Sequence, residues 1–316
     1  MTVPYTKGLH QLTEHCHAWL APDGRWGWSN AGLVTGEGQS LLVDTLFDVA
    51  LTRDMLTGMR PVTEARPIRT VINTHANGDH WFGNELVADA EIIASRQTAD
   101  EMAVNGPGLL LSLIRQDGPA GDFCRHIFAP FDFTTITPTP ATRTYDRELD
   151  LDVGGTQVRV INLGPAHTAG DSVVLVPSQG VLYTGDLLFI GGTPISWAGP
   201  ISSWIRACEF MLGCGADVIV PGHGPVTGPD GIEAVLDYLR WITHEATERH
   251  ARGMTARDAA RDIELGRFAT LSERGRIAQN VLCVYHELDP TLPRADPSEV
   301  FRRMAELEGY TEKATG

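Results

Sequence analysis

Four short stretches of this chain set metal-ligating side chains beside glycine. THANGDH, residues 74–80, brings His75, Asp79 and His80 into one turn, with Asn77 between them. GPAHTAGD carries His167, YTGD carries Asp186 and PGHG carries His223. Imidazole nitrogens and carboxylate oxygens are the donors that a borderline divalent cation such as zinc prefers. One histidine in a loop is more often structural than a ligand. Four such loops, each following an apolar run, point to a metal centre.

For these side chains to converge, each must leave the end of a strand, and the flanking glycines let the backbone turn there. The runs HAWL and AGLVT read as strands joined by the turn APDGRWG, and SLLVDT reads as a third. A helix-like stretch, DVALTRDMLTGMRPV, precedes the strand RTVINT that runs into THANGDH, and EIIAS is another short strand. From residue 149 strands resume with LDLDVGG, TQVRVINLG, DSVVLVPS and GVLYTGD. SWIRACEFMLGCGA then reads as a helix and DVIVPGH as the last strand. Residues 96–147 show a helix near TADEMAVNG, then an aromatic and proline-rich run. Without clear periodicity, that segment is expected to be a covering loop or a functional insertion.

Beyond about residue 230 the pattern becomes helical and charged, ending in DPSEVFRRMAELEGY with Asp296 or Ser298 as its cap. The expected organisation is a mixed α/β domain over residues 1–230 and a helical extension over 231–316 packed on it. Leu236, Leu239, Val281, Leu282 and Tyr285 of that extension need a partner surface. It is either a cover on the cleft or a homodimer interface, the dimer being the preferred reading.

Taken in order, the four loops resemble the signature of the metallo-β-lactamase fold superfamily, HxHxDH followed by single His, Asp and His loops. The likeness covers roughly residues 9–228. It implies an α/β fold, the αβ/βα four-layer sandwich, with a metal site at one edge. Carried over residue by residue, it implies that His75, position 77 and His167 hold a first metal. Asp79, His80 and His223 would hold a second, with Asp186 bridging. Asn77 stands where the signature has its second histidine, and a neutral amide oxygen is a weaker ligand than imidazole. The resemblance therefore implies one or two zinc ions per chain, the second site favoured, with iron or manganese as alternatives. Asn77 has three readings: a turn residue at left-handed φ before Gly78, the mark of a dead site, or a contact to metal, water or substrate.

The activity so implied is hydrolysis of a small ester, lactone, thioester or amide by a metal-bound hydroxide, since the metal lowers the pKa of its water toward about 7. Asp79 and Asn77 are the expected catalytic residues. Asp79 would orient the nucleophile or shuttle its proton, and the Asn77 amide would stabilise the oxyanion. C–O or C–S cleavage is preferred over C–N. The rivals are an iron-dependent oxidoreductase of the same fold and a non-catalytic metal-binding or interaction protein.

Trp26 and Trp28 lie in GRWGW, where members of the superfamily often carry a flap over the site. Trp26 and Trp197 are expected to form an apolar pocket wall, and Trp81 and Phe82 to pack in the core. A net charge of -15 over 316 residues argues against nucleic acid and anionic membrane surfaces as partners. No run approaches the roughly 20 apolar residues of a membrane-spanning helix, and MTVPYTKGLHQL shows no leader pattern. The five cysteines lack CxxC pairing and read as free thiols, so a cytoplasmic location is expected.

Overall fold

The computed structural model describes residues 3–311. The chain begins with strands β1 (Gly8–Gln11), β2 (Cys16–Leu20), β3 (Ala31–Gly36) and β4 (Gln39–Val43), an antiparallel meander. Helix α1 (Val49–Thr63) follows, its first turn capped by the Asp48 carboxylate, which accepts from the Leu51 N–H. Strands β5 (Ile68–Ile72) and β6 (Glu91–Ser95) then add parallel to β4.

Residues 96–147 are more regular than a covering loop, although they hold the expected helix near TADEMAVNG. They form helices α2 (Arg96–Met102), α3 (Pro107–Ile114) and α4 (Gly118–Phe128), then an irregular run into β7 (Arg143–Tyr145), the edge of a seven-stranded sheet. Two of these helices have proline in their first turn, a favoured position. Helix α3, PGLLLSLI, is too short and too uniformly apolar to show a period.

A second sheet, ordered β12-β11-β10-β9-β8, is built from β8 (Glu148–Val153), β9 (Thr156–Asn162), β10 (Ser172–Val176), β11 (Val181–Tyr183) and β12 (Val218–Val220). Helix α5 (Ile201–Leu212) joins the last two. Val34, Leu41, Val43 and Ile72 of the first sheet pack against Val160, Val174, Val176 and Tyr183 of the second. Outside the first sheet, Met55 and Met59 of α1 cover Leu33, Leu42 and Val71. Outside the second, Trp204 and Cys208 of α5 belong with Val173, Leu175, Leu182 and Ile219 to one buried cluster. The result is the expected four-layer αβ/βα sandwich. Covered on both faces, β10 reads SVVLV with every residue buried, whereas the edge strand β8, ELDLDV, alternates.

The helical extension consists of α6 (Pro229–Ala251), α7 (Ala256–Asp262), α8 (Ile277–Leu288) and α9 (Pro297–Leu307). Asp296, rather than Ser298, caps α9 by accepting from the Glu299 N–H at 2.9 Å. The surface that Leu236, Leu239, Val281, Leu282 and Tyr285 need is supplied by the same chain, since all five are buried within it. Their apolarity therefore gives no argument for a partner subunit. All five cysteines are free, four of them buried, and no described helix is long and apolar enough to cross a membrane.

Candidate metal centre

The ligand loop after β5 is held by amides and an indole rather than by left-handed backbone. Asn73 donates to the His80 carbonyl at 2.9 Å and accepts from Asn84, whose own oxygen accepts from Thr45. The Trp81 indole N–H donates to the Ala76 carbonyl at 3.0 Å from a fully buried position. Gly78 is required by closeness, because a Cβ there would lie 2.4 Å from the Phe82 ring. Asn77 has φ -71° and ψ 138°. The reading of Asn77 as a left-handed turn residue is thus corrected: the loop turns without it, and its side chain faces the site.

His167 follows β9, Asp186 sits in a single 3₁₀ turn after β11, and His223 follows β12. All the expected ligands converge. His75, His167 and Asp186 form one triad, and Asp79, His80 and His223 form another, each with its donor atoms within 4.8 Å of one another. Asp186 Oδ2 lies 3.4 Å from both His167 Nε2 and His223 Nε2, and Oδ1 lies 3.0 Å from His80 Nε2. It therefore stands between the triads. Asp79 Oδ2 is 3.2 Å from His223 Nε2, and Asn77 Oδ1 is 3.1 Å from His167 Nε2.

Hydrogen bonds on the far side of three rings decide what the near side offers. His80 Nδ1 lies 2.9 Å from Asp44 Oδ2, so Nδ1 carries the proton and Nε2 presents a lone pair. His167 Nδ1 faces the Ile195 carbonyl at 2.5 Å, an acceptor only, with the same consequence. The Thr74 hydroxyl donates to Asp44 Oδ2 at 2.7 Å, so it must accept from His75 Nδ1 at 3.0 Å. His75 Nε2 is then buried with no hydrogen-bond partner, and His80 Nε2 and Asp186 Oδ1 have none but each other. Lone pairs from His167 and Asn77 face each other at hydrogen-bond distance, and so do those of Asp186 and the neutral His80 ring that a metal would require. Such an arrangement suits a shared cation, and the residues present fit a divalent metal.

The charges agree with this geometry. Burial disfavours the charged His223 ring, but the Asp186 and Asp79 carboxylates outweigh it and push its pKa up to about 9. His80 is raised well above its ordinary value by the same balance, burial opposed by Asp186, Asp79 and Asp44. Burial lowers His167 to about 4 against the pull of Asp186, and holds His75 well below its ordinary value, helped by the neighbouring His80. Without metal, two rings substitute for cations beside the carboxylates.

Sequence reasoning missed Asp44 and Thr74, which orient the ligands, and Ser29, whose hydroxyl donates to the Asp79 carbonyl at 2.5 Å. Asp44 had a signal in the sequence, a lone carboxylate ending the apolar strand SLLVDT; in the structure it holds φ 63°, unusual for a residue other than glycine.

A cavity of about 320 Å³ opens beside Asn77, Gly78 and Asp79. Its wall includes Trp26, Trp197, Phe82, Phe128, Leu113 and Phe301, with Glu101, Arg294 and His286 also lining it. Trp26 and Trp197 take the expected wall positions. Trp28, from the same GRWGW segment, packs on Phe131 at 5.1 Å, outside that wall. Phe82 is buried as expected and also meets the cavity. Helices α8 and α9 contribute Leu282, Cys283, Val300 and Phe301, so the extension is a cover on the cleft.

Comparison with known proteins agrees with this geometry. The α subunit of 2,4-dinitroanisole O-demethylase from Nocardioides sp. is 27% identical over 198 residues, 60% of this chain and 51% of that protein. Alkyl/aryl-sulfatase BDS1 from Saccharomyces cerevisiae is 23% identical over 326 residues, 89% of this chain and 48% of its own length. The chain thus spans about half the length of the curated relatives it matches. Among solved structures, the stereoselective inverting sec-alkylsulfatase Pisa1 from Pseudomonas sp. superposes with a TM-score of 0.63 at 17% identity, over 96% of this chain and 55% of that one. At that identity the likeness speaks for the fold, helical extension included. The family model described as the metallo-beta-lactamase superfamily matches residues 24–223, most of the sandwich and every candidate ligand. The chain belongs to the metallo-β-lactamase superfamily.

Proposed function

We propose that this chain is a metal-dependent hydrolase, with zinc as its ion, acting on a small ester-like substrate. The observation that carries the reading is the convergence of six buried ligands, with His75 Nε2 left without a partner and His80 Nε2 and Asp186 Oδ1 with none but each other. His75, His167 and Asp186 would hold one ion, and Asp79, His80 and His223 another. When bound, a divalent cation supplies Lewis acidity and a water of lowered pKa.

The chain's own residues supply the rest. Asp79 lines the cavity, and Ser29 holds it through its backbone carbonyl. Its carboxylate is placed to orient a water molecule and hold the proton it gives up. Asn77 also lines the cavity, and with its oxygen turned to His167 its N–H₂ group is free to donate to negative charge developing on a substrate oxygen. The aromatic wall excludes bulk water, which strengthens both effects.

Ester, lactone, thioester and amide substrates share this requirement. The relatives are named as a sulfatase and an O-demethylase, both concerned with groups joined through oxygen. Those names support oxygen-linked substrates, sulfate esters and aryl ethers included, over amides. A cytoplasmic setting, with no nucleic acid or membrane partner, is supported by the charge of -15 and the free thiols.

The test is metal content of protein purified without added metal, joined to turnover on ester, lactone, thioester, sulfate-ester, β-lactam and phosphodiester substrates. Zinc with oxygen-linked turnover is the expected result. Bound iron with colour and no hydrolysis would move the assignment to a redox enzyme, and neither metal nor turnover would leave a binding protein.

A further inference from the structure

A buried pair of charges ties the flap carrying Trp26 to the helical extension. Glu273 Oε1 accepts from the Trp26 backbone N–H at 2.7 Å, across 247 positions of sequence. Its other oxygen pairs with Arg276 at 2.8 Å, the two side chains being only 8% and 2% exposed. The Arg276 guanidinium lies 4.2 Å from the centre of the Trp26 ring and 5.2 Å from that of Phe189, and donates to the Thr193 carbonyl at 3.0 Å. Phe189 in turn stacks on His223, with ring centres 5.2 Å apart and planes 4° from parallel.

Two features make this arrangement costly. Glu273 adopts φ 57°, a region in which a residue other than glycine is strained. A buried ion pair also loses hydration that its attraction barely offsets. A glycine would have made the same turn without either penalty. What the pair engages lies outside the extension: the flap, and the segment between β11 and α5. The rest of the flap is anchored independently. Ser29 bonds to the Asp79 carbonyl, and the Asn30 amide to the carbonyls of Pro221 and Gly224. The loops of Asp79 and His223 thus have anchors besides the pair. The pair, by contrast, both bonds the Trp26 backbone and covers its ring, which packs on Phe123 and Phe128 at its edges.

We propose that Glu273 and Arg276 are positioning residues that hold Trp26 as a wall of the cavity, so that the helical extension sets the fit for a planar apolar group of the substrate. The proposal rests on the cavity being the substrate site of the hydrolase. Trp26, with its centre 6.3 Å from that of Trp197 and 5.9 Å from that of Phe301, offers ring faces and edges to a flat ligand. A cavity of about 320 Å³ accommodates one or two fused rings beside the metal loops. Releasing the wall should therefore weaken binding of the non-reacting group and leave the metal in place.

The test compares the full, metal-loaded chain with a variant carrying Glu273→Gly and Arg276→Met. Glycine relieves the φ strain, and removing both charges together leaves neither buried alone. Calorimetric binding of 1-naphthol should weaken by about tenfold while metal content and folding are retained. With 1-naphthyl acetate the loss should fall on KM, with kcat and the kcat/KM of methyl acetate unchanged. Trp26→Ala should cost a similar factor, and combining it with the pair should cost no more, because the wall is already gone. Additive losses, unchanged naphthol affinity, naphthol binding to neither protein, or metal lost together with affinity would each overturn the proposal. If the paired variant does not fold, Glu273→Met with Arg276→Met, which fills the volume while removing the acceptor and both charges together, replaces it in the same cycle. Because naphthol binding needs no turnover, a protein that binds it through the clamp but hydrolyses nothing sinks the hydrolase reading alone.

Discussion

Asp44 serves two ligands at once, accepting from His80 Nδ1 and from the Thr74 hydroxyl that fixes His75. Asp44→Asn keeps an acceptor and tolerates φ 63°, but loses the charge that makes His80 a stronger donor. Metal affinity, read by chelator competition, should fall by about 10–100-fold, and an unchanged affinity would remove Asp44 from the centre. Asn77→His adds an imidazole beside His167, so the weaker step of a metal titration should tighten. Turnover should drop toward about 10²-fold below the parent, since an amide donor at the developing oxyanion is lost. Two equally tight ions in the unmodified protein would show that Asn77 already ligates well. The charge balance gives a pH dependence with a definite sign. His223 titrates at about 9 without metal, so it is protonated at pH 7 and must shed that proton to ligate. Metal uptake in weakly buffered solution at pH 7 should release protons, and affinity should rise as pH climbs toward 9. The ligands were legible because their residue types announce their chemistry; Thr74 was not, since a threonine becomes an orienting group only through what lies beside it.

Strands deliver the ligands, and the loops that follow them tolerate almost no added volume. A Cβ on Gly222 would lie 2.0 Å from Asp186 Oδ1, the carboxylate between the two triads. Gly222→Ala should therefore push Asp186 aside and lower metal stoichiometry at both triads, while most of the sandwich still forms. Metal analysis alongside circular dichroism checks this, and full stoichiometry would mean that the loop yields instead. The same logic explains which elements the sequence disclosed. RTVINT and DSVVLVPS are apolar runs bounded by turn residues, and both are strands. Helix α3 gave no periodic signal because it is only eight residues long and its leucines are not confined to one buried face: Leu113 is buried, while Leu109 and Leu110 line the cavity from more exposed positions. Strand β1, GLHQ, is a four-residue edge piece whose pattern alone could not separate it from a loop.

At the scale of the whole molecule, the extension is part of one core rather than an appendage. Trp204 and Cys208 of α5 share a buried cluster with Ile232, Leu239 and Ile242 of α6 and with Val281 and Val284 of α8. Helical periodicity after residue 230 was visible in the sequence, but the surface it covers was not, because α5 and α8 meet only in space. The division at residue 230 and the homodimer both remain proposals, and one truncation bears on each. Ending the chain after Thr227 would strip cover from Trp204, Cys208 and Met211, all buried in the intact protein, and would remove Leu282, Val300 and Phe301 from the cavity. Burial of this kind carries much of a domain's stability, at roughly 25 cal/mol per Å² of apolar surface. The truncated chain should therefore be poorly soluble and should bind an apolar dye, with metal binding lost as its loops lose their support. A soluble, metal-loaded and active fragment would show instead that residues 1–230 stand alone. Light scattering on the intact chain supplies the other half. Because the extension's apolar faces are already covered, a dimer would have to use polar or half-buried surface, and its dissociation should leave the extension folded.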